Sequence, residues 1–356
     1  MEKKFDIYGI GNALLDIECK VNSSLLSTLN VEKGLMTLID EKKEMELYES
    51  LGSFEVKRCC GGSAANTIVA AAQLGSKNFY CCKVALHDDR GQFYVKDLIS
   101  QDIQTNMTNI HLKSENYVGK TGVCLVMVTE DAERTMNTYL GISETLGDEQ
   151  LQVSELALSK YVYVEGYLCT SPSARKMVQR AFGIARNQGV KVSMSFSDPS
   201  MPKSFKNNLQ EMFEGVKGAS SRPLDLLFCN EQEAKIFTQQ DQAQNYVREL
   251  KEIATSFCVT KGAQGVFIYD GLENKTYEIN AYPTKVVDTN GAGDMFAGTF
   301  LYGLTHHLNF EKSGELANFT ASRVVAQFGP RFSLEVGKQH LKEFKNGVTY
   351  GASVNC

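Results

Sequence analysis

A glycine-rich segment near the carboxyl end of the chain contains residues that could hold and transfer a charged group. It spans residues 285–300 (KVVDTNGAGDMFAGTF), in which a strand-like VVD precedes a turn made of Gly291, Ala292 and Gly293. Backbone N–H groups that converge at the start of a helix bind anions such as phosphate. Asp294 follows at once, where its carboxylate could accept a proton from a hydroxyl beside a held phosphoryl group. Spacing alone favours a capped helix without catalytic function.

Short apolar stretches alternate with segments of helical spacing along most of the chain. The apolar stretches lie at 5–10, 79–85, 161–167, 190–196, 224–229 and 256–260. The clearest helical segments lie at 64–74, 174–187 and 231–237. Buried strands that alternate with helices are typical of a parallel sheet covered on both faces. The sequence therefore predicts an α/β fold with a central, mainly parallel sheet flanked by helices.

Two segments interrupt this alternation. In residues 16–40 the runs DIECKV and LMTLID flank a polar link, and in residues 117–140 the runs VCLVMV and RTMNTYL bracket a turn. The second segment is typical of a β-hairpin, and neither segment has the pattern of a crossover helix. We therefore expect a small antiparallel sheet that forms a lid. Because there is no low-complexity linker, we expect a single domain over residues 1–350.

Composition and charge exclude several classes of protein. The chain is 43% hydrophobic and 22% charged, as an ordinary globular enzyme is. Its net charge is −5 with scattered Lys and Arg, so we expect no nucleic-acid partner. We also expect a cytoplasmic protein without a membrane partner, since the sequence lacks a signal-peptide pattern and a long apolar run. The 10 cysteines lack zinc-ligand spacing, which predicts buried thiols.

Two motifs resemble the signatures of a known enzyme family. Residues 288–298 have the form D-T-x-G-A-G-D-x-F-x-G and resemble the carboxyl-terminal signature of the ribokinase-like carbohydrate kinases, the PfkB family. GGSAAN at 61–66 resembles the family's amino-terminal signature. The resemblance implies a ribokinase-like fold with a small β-sheet lid, and ATP-dependent phosphorylation of an alcohol. Thr299 departs from the Gly or Ala of many members, and we expect it to affect helix packing.

The resemblance implies roles at the phosphate end of the site. Asp294 would be the catalytic base, and the turn before it the anion hole. NEQE at 230–233 is similar to the family's N-x-x-E element, in which Asn230 faces the phosphates and Glu233 orders water around Mg²⁺. A helix cap with a capping box explains these two residues at least as well on sequence alone.

The resemblance also places residues along the nucleotide. TKGAQG at 260–265 is similar to the family's T-x-G-x-x-G loop, so Thr260, Gly262 and Gly265 would contact ATP. A plain hairpin with two glycines is the alternative for this loop. Asn318, on a helix predicted over 316–327, would line the nucleotide pocket.

The acceptor end of the site is implied by the opening turn GNALLD at 11–16. There Asn12 and Asp16 would bind a sugar, because a carboxylate can accept hydrogen bonds from two neighbouring hydroxyls. The resemblance adds Gly61, Gly62 and Asn66 to this group. Arg134, at the base of the predicted hairpin, would reach into the closing site. A turn-capping Asp and a surface Arg are the alternatives.

The motifs are similar to the adenosine-kinase-like branch of the family, which implies a nucleoside phosphorylated on its 5′-hydroxyl, as when adenosine becomes AMP in purine salvage. Four apolar side chains are expected to form walls for a base, namely Leu14, Met36, Leu38 and Phe196. Ser200 stands where an aromatic residue is expected, so inosine, guanosine, or a sugar such as ribose or fructose stay alternatives. The resemblance leaves open a requirement for K⁺ and the choice between monomer and homodimer.

Two other classes of protein are alternatives to a kinase. A dinucleotide-binding oxidoreductase is suggested by Gly9 and Gly11, but the third glycine of its fingerprint would fall at Leu14. A nucleotide-sensing protein without catalytic activity is the better alternative. The presence of Asp294 favours an enzyme over it.

Overall fold

The computed structural model describes residues 2–34, 36–52, 54–108, 117–131, 133–214 and 223–347. Positions 35 and 132 of the predicted lid segments, and positions 348–350 of the predicted domain, lie outside these ranges. The strands are β1 Phe5–Ile10, β2 Leu14–Lys20, β3 Met36–Leu38, β4 Val56–Gly61, β5 Asn78–Cys81, β6 Gln104–Thr105, β7 Thr121–Val128, β8 Arg134–Gly141, β9 Ser159–Glu165, β10 Lys191–Ser195, β11 Leu224–Asn230, β12 Ala254–Thr260, β13 Val266–Asp270 and β14 Lys275–Ile279.

The α-helices cover both faces of the larger sheet and support the smaller one. They are α1 Ser23–Thr28, α2 Glu41–Ser50, α3 Ser63–Gln73, α4 Asp89–Ser100, α5 Val153–Ala157, α6 Pro172–Asn187, α7 Ser200–Ser204, α8 Lys206–Phe213, α9 Glu231–Thr238, α10 Ala243–Ile253, α11 Ala292–Thr305, α12 Phe310–Val324 and α13 Leu334–Lys345. Within the described ranges, none of these helices combines the length and the apolar character needed to cross a membrane.

The larger sheet has the order β14-β13-β12-β11-β10-β9-β1-β5-β6. Its pairs are parallel except β12 with β13 and β13 with β14, which are antiparallel. Successive side chains of a strand point to opposite faces. In β9, Tyr161 and Tyr163 enter the core formed with α3, α4, α11 and α12, whereas Val162 and Val164 enter the core formed with α6, α8, α9 and α10. The predicted α/β fold with helices on both faces of a mainly parallel sheet is confirmed.

The smaller sheet has the order β3-β8-β7-β2-β4. The predicted hairpin is present as the antiparallel pair β7 and β8. The sheet is mixed rather than antiparallel, because β2 pairs with β7 and β3 pairs with β8 in parallel. A short helix, α1, lies between β2 and β3, where we expected none. Its six residues, capped by Asn22, are too few to give a clear helical pattern.

A pair of helices joins the two glycine-rich segments. α3 packs against α11, and a Cβ on Gly298 of α11 would come within 2.2 Å of the Thr67 carbonyl oxygen of α3. The Thr299 hydroxyl lies 2.9 Å from that of Thr320 on α12, so Thr299 does contribute to helix packing. The predicted strand at 286–288 is wrong. Val287 and Asp288 instead donate their N–H groups to the Val325 carbonyl, and the side chain of Val286 is 59% exposed.

Candidate active site

A cavity of about 510 Å³ lies between the carboxyl ends of the parallel strands and the smaller sheet. Ligands bind at this edge in open α/β sheets. The cavity brings together predicted residues from distant parts of the chain, namely Asn12, Asp16, Gly62, Asn66, Arg134, Asn230, Glu233, Thr260, Gly291, Ala292, Gly293 and Asp294.

Asp294 lies in the first turn of α11, where two polar groups from α3 hold its carboxylate. The Ser63 hydroxyl donates to Oδ1 at 2.6 Å, and the Asn66 amide nitrogen donates to Oδ2 at 3.1 Å. Burial raises the pKa of Asp294 to about 6, and these two hydrogen bonds limit the rise. A carboxyl with this pKa is mostly ionised at neutral pH and can accept a proton.

The turn before Asp294 starts at a glycine with a left-handed backbone, and the N–H of Ala292 donates to the Thr289 carbonyl at 3.3 Å. Gly291 has φ of 73°, and a Cβ there would come within 2.4 Å of the Pro330 side chain, so a larger residue is excluded. Space beside Gly293 is open, because a Cβ there would meet no atom within 4 Å. The N–H groups of the turn lie at the positive end of a 14-residue helix that faces the cavity.

Asp16 lies on β2, across the cavity from the anion-hole turn. Its side chain is only 5% exposed, and burial raises its pKa to about 7. Two glycines make room for it and for the opening turn. A Cβ on Gly61 would lie 2.0 Å from an Asp16 oxygen, and a Cβ on Gly62, which has φ of 93°, would lie 2.2 Å from the Asn12 carbonyl.

Glu165 is a buried carboxylate in this region that sequence reasoning missed. It ends β9, and its two oxygens accept hydrogen bonds from the N–H groups of Asn12 and Ala64, each at 2.7 Å. The opening turn and the start of α3 are thereby fixed to each other. Burial raises the pKa of Glu165 to about 7. An acidic residue at the end of the apolar run YVYVE was the available signal.

Asn230 and Glu233 form a capping box at the start of α9. The Asn230 oxygen accepts from the Glu233 N–H at 2.8 Å, and the Glu233 carboxylate accepts from the Asn230 N–H at 3.0 Å. Both residues also line the cavity, so the capping function and a binding function are compatible. Burial, with the nearby charges of Asp198 and Asp294, raises the pKa of Glu233 to about 8.

The carboxylates at this end of the cavity fit a Mg²⁺ ion that keeps most of its water. Among the described residues, there is no group of three or more His, Cys, Asp or Glu side chains that could hold a metal ion directly. Mg²⁺ keeps several waters and is commonly bound through one or two carboxylates together with substrate phosphates. Glu233 and Asp198 line the same part of the cavity and suit that role.

Arg134 extends from β8 of the smaller sheet towards the anion-hole turn. Its guanidinium forms an ion pair with Asp288, and a second nitrogen lies 3.7 Å from Glu18. Asp288 also accepts hydrogen bonds from the N–H groups of Asn290 and Gly329, each at 2.8 Å. Arg134 therefore contacts the loop that precedes Gly291, through Asp288. It is largely buried in this ion pair and is not a surface arginine.

The residues predicted to contact the nucleotide are only partly at the cavity. Thr260 lines it at the end of β12. Gly262 and Gly265 follow in the turn to β13, with φ of 56° and 90°. Asn318 is not among the lining residues, and its amide nitrogen donates to the carbonyls of Ile279 and Asn280 at 3.0 and 3.1 Å. That amide holds the segment after β14.

An apolar wall from the smaller sheet faces the cavity beyond Asp16. It includes the predicted Leu14, Met36 and Leu38, and β7 and β8 add Cys124, Val126, Met136 and Leu140. Phe196 is not part of it, so this prediction is wrong. β10 ends at Ser195, and the Phe196 ring turns into the core, where its centroid lies 4.5 Å from that of Phe237. The Ser200 hydroxyl donates to Asp198 at 2.5 Å.

Comparisons with known proteins agree with this architecture. The family model "pfkB family carbohydrate kinase" matches residues 35–336. The structure of a probable sugar kinase from Rhizobium etli CFN 42 has a TM-score of 0.83 and 33% identity, covering 95% of this chain and 98% of that one. The structure of adenosine kinase from Sinorhizobium meliloti has a TM-score of 0.83 and 31% identity, covering 94% and 99%. The adenosine kinase of Saccharomyces cerevisiae is 24% identical over 344 residues, covering 92% of this chain and 96% of the relative.

Proposed function

The chain belongs to the pfkB family of carbohydrate kinases, in its adenosine-kinase branch, and on this premise we propose that it transfers the γ-phosphoryl group of ATP to the 5′-hydroxyl of a nucleoside. Membership makes it a phosphotransferase that acts on a hydroxyl group and uses ATP. The proposal adds the acceptor class, with adenosine as the substrate and AMP as the product. It also assigns roles to the residues around the cavity.

The observation that supports a nucleoside is the apolar wall beside Asp16. A sugar of ribose size has hydroxyls on most of its carbons, so it would leave this wall in contact with water. A base attached to the ribose would cover the wall, and each square ångström of apolar surface removed from water contributes about 25 cal/mol. The sulfur-containing and aliphatic side chains of the wall suit the flat face of a purine.

The acceptor is oriented from the side of Asp16. The Asp16 carboxylate accepts hydrogen bonds from the 2′- and 3′-hydroxyls of the acceptor. Because the carboxylate is buried, these hydroxyls supply the donors that it does not receive from water. Burial in the free enzyme raises its pKa to about 7, and two donated hydrogen bonds favour its ionised form in the complex. The backbone around Asn12 and Gly62, fixed by Glu165, sets the position of the ribose.

Phosphoryl transfer takes place at the start of α11. Asp294 accepts the proton of the 5′-hydroxyl while the 5′-oxygen forms a bond to the γ-phosphorus of ATP. The bond between the γ-phosphorus and the β,γ-bridging oxygen breaks, and ADP is released. The N–H groups of the 291–293 turn stabilise the charge on the transferring oxygens. Glu233 and Asp198 would hold the water around Mg²⁺ bound with ATP, and the metal would supply positive charge against the phosphates. Arg134 adds positive charge at the mouth of the hole, and the smaller sheet acts as a lid over the reacting groups.

A panel of acceptors tests the substrate class. ADP release is measured with adenosine, inosine, guanosine, ribose and fructose, and the phosphorylated position is identified in each product. We expect the highest kcat/KM with adenosine and phosphorylation on the 5′-oxygen. Phosphorylation of ribose or fructose with no activity on any nucleoside would overturn the nucleoside assignment in favour of a sugar kinase, the description of the Rhizobium etli relative.

A matched pair of acceptors tests the role of Asp16. Removing the 2′-hydroxyl leaves one oxygen of a buried carboxylate without its donor, so 2′-deoxyadenosine should have a much lower kcat/KM than adenosine, by up to about 10⁴. Asp16→Ala should be weak on both and lose most of this discrimination, because the unpaired acceptor is gone. Equal discrimination in the two proteins would place the hydroxyls elsewhere.

A further inference from the structure

Arg331 is a buried cation directly behind the cavity, in the loop that follows α12. Its side chain is 9% exposed, and it is not among the residues that line the cavity. Its Nε donates to the Asn66 side-chain oxygen at 2.7 Å, and its other contacts are the Cys60 sulfur and, at 3.5 Å, the Asp97 carboxylate. Its hydrogen-bonded connection to Asp294 therefore runs through another residue, Asn66.

The chemistry of the guanidinium determines which way the Asn66 amide faces. Arginine has five N–H donors and no acceptor, so the atom of Asn66 that meets it has to be the oxygen. The nitrogen of the same amide is then directed at Asp294, to which it donates at 3.1 Å. If the Asn66 amide were reversed, its NH2 group would face the N–H groups of Arg331, and its oxygen would face the Asp294 carboxylate.

We propose that Arg331 is a positioning residue, which fixes the Asn66 amide so that its N–H group holds Asp294 in the geometry that accepts the acceptor proton. This inference rests on the proposed function, in which Asp294 is the base. It also gives Asn66 a function distinct from sugar binding. Both ends of its amide are engaged within the protein.

The loop 329–331 contacts the reacting segments at three successive positions. The Gly329 N–H donates to Asp288 at 2.8 Å. Pro330 occupies the space that a Cβ on Gly291 would need. Arg331 then holds Asn66 on α3. One short loop therefore contacts both the 291–293 turn and α3, the helix whose side chains hold the Asp294 carboxylate.

The surrounding charges explain why a cation is needed behind Asn66. The groups that face Asp294 are Ser63 and Asn66 from α3, Asp16 from β2, Glu165 from β9, Glu233 from α9, Arg331 from its loop, and the Tyr163 and Tyr167 hydroxyls. The charged side chains among them are acidic except for Arg331. Arg331 lowers the pKa of both Asp294 and Asp16.

Three substitutions of Arg331 separate positioning from packing. Arg331→Met keeps the length but removes the donors, and it should lower kcat by about 10- to 100-fold with a smaller change in KM for adenosine. It should also move the acidic limb of the kcat/KM profile upward by about one pH unit. Arg331→Lys should recover part of the kcat, since an ammonium group also only donates. Arg331→Gln should recover less, because its amide is uncharged and can present either an oxygen or an N–H group to Asn66, so it does not fix the Asn66 orientation. Arg248→Met, at a side chain 68% exposed, is the matched control for loss of an arginine.

The decisive comparison uses Asn66→Ala as background. If Arg331 acts through Asn66, then Arg331→Met should lower kcat by less than about 3-fold in that background, because coupled residues are not additive. An equal loss in both backgrounds, or a normal kcat and pH profile in Arg331→Met, overturns the proposal. If Arg331→Met does not fold, as judged by its circular dichroism and Tm, Arg331→Lys and Arg331→Gln replace it. Their kcat values are then compared in the wild-type and the Asn66→Ala backgrounds.

Asp294→Asn, assayed in parallel, separates the two claims. Full turnover in Asp294→Asn would show that the proposed base is wrong, whatever Arg331 does. An inactive Asp294→Asn together with a normal Arg331→Met would leave the base in place and reject only the positioning role.

Discussion

At the scale of single residues, buried carboxylates dominate the site. Burial raises the pKa of Asp16 and Glu165 to about 7, of Asp294 to about 6 and of Glu233 to about 8. Glu165, Asp294 and Glu233 accept hydrogen bonds in the free protein. Asp16 is proposed to accept them from the substrate. The arrangement suits a reaction in which a cationic metal and many donor groups arrive together with ATP and the acceptor.

Glu233 gives a prediction about the metal. Glu233→Gln keeps an oxygen that can accept from the Asn230 N–H but loses the acceptor that the Asn230 amide nitrogen meets at 2.6 Å. The backbone hydrogen bonds of the capping box remain, so the start of α9 should persist. The variant should nevertheless need several-fold more Mg²⁺ for half-maximal rate, because a neutral amide orders the metal's water less strongly. The Mg²⁺ dependence of the initial rate, with KM for adenosine as the control, measures this. An unchanged Mg²⁺ dependence would leave Glu233 with the capping function alone.

Some of these residues could be found from the sequence and others could not. Asp294, Asp16 and Asn230 stand inside local motifs, and the structure brings them to one cavity. Glu165 contacts Asn12 across 153 positions, and Arg331 contacts Asn66 across 265. Neither long-range pair leaves a local pattern, so only the folded structure reveals them. The prediction that Phe196 lines the apolar wall is wrong, because an apolar residue just after a strand can turn either into the core or into the cavity.

At the scale of elements, the contact of α3 with α11 holds the two glycine-rich segments together. Gly298→Ala would place a Cβ 2.2 Å from the Thr67 carbonyl and 2.9 Å from the Ala70 side chain. We expect a loss of about 1–3 kcal/mol in the free energy of unfolding, measured by chemical denaturation. Separation of the helices should also lower kcat, because Ser63 and Asn66 would move away from Asp294.

Gly183→Ala is the matched control for that substitution. Gly183 lies within α6, where a Cβ would meet no atom within 4 Å. An alanine there should stabilise the protein by up to about 1 kcal/mol, as expected inside a helix. If the two variants have the same stability, the close approach of α3 and α11 does not limit the residue at 298.

The elements themselves were predictable to different degrees. β1 at Phe5–Ile10 has the predicted bounds, since a buried strand closed by glycine has a clear pattern. The smaller sheet was harder, because β3 has three residues and pairs in parallel with β8, which lies about 100 positions away. Its mixed topology depends on these long-range pairs. In the run at 286–288, the N–H groups of Val287 and Asp288 donate to the Val325 carbonyl and not to a neighbouring strand. No local pattern indicates this.

At the scale of the whole molecule, the smaller sheet and the larger sheet meet at the reacting groups. Arg134 and Asp16 come from the smaller sheet, whereas Asp288 and Asp294 belong to the body. Lys57 of the smaller sheet donates to the Phe328 carbonyl at 3.3 Å, beside the Arg134 ion pair. Substrate binding between the two sheets, as proposed above, would act on contacts that also hold the loop at 288–291.

Dependence of ATP cleavage on the acceptor follows from this arrangement. With no nucleoside, water has free access to the site, and nothing orients a hydroxyl at Asp294. We expect the release of ADP from ATP without acceptor to be below about 1% of the rate with adenosine, because closure over both substrates excludes water. Assays of ADP release with and without adenosine measure this. ATP cleavage at equal rates in the two conditions would contradict closure by the lid.

The central claim, that Asp294 accepts the proton of the attacking hydroxyl, is tested most directly by the steady-state kinetics of Asp294→Asn. The side chains are of nearly equal size, and the Asn oxygen can still accept from Ser63, but the new amide nitrogen meets the Asn66 nitrogen that donates to Asp294. Circular dichroism and Tm therefore accompany the kinetics, to show that the fold is retained. Since a general base acts in the transition state, we predict a kcat lower by about 10²- to 10⁴-fold with little change in KM for adenosine or ATP. A variant that turns over at nearly the wild-type rate would contradict the claim.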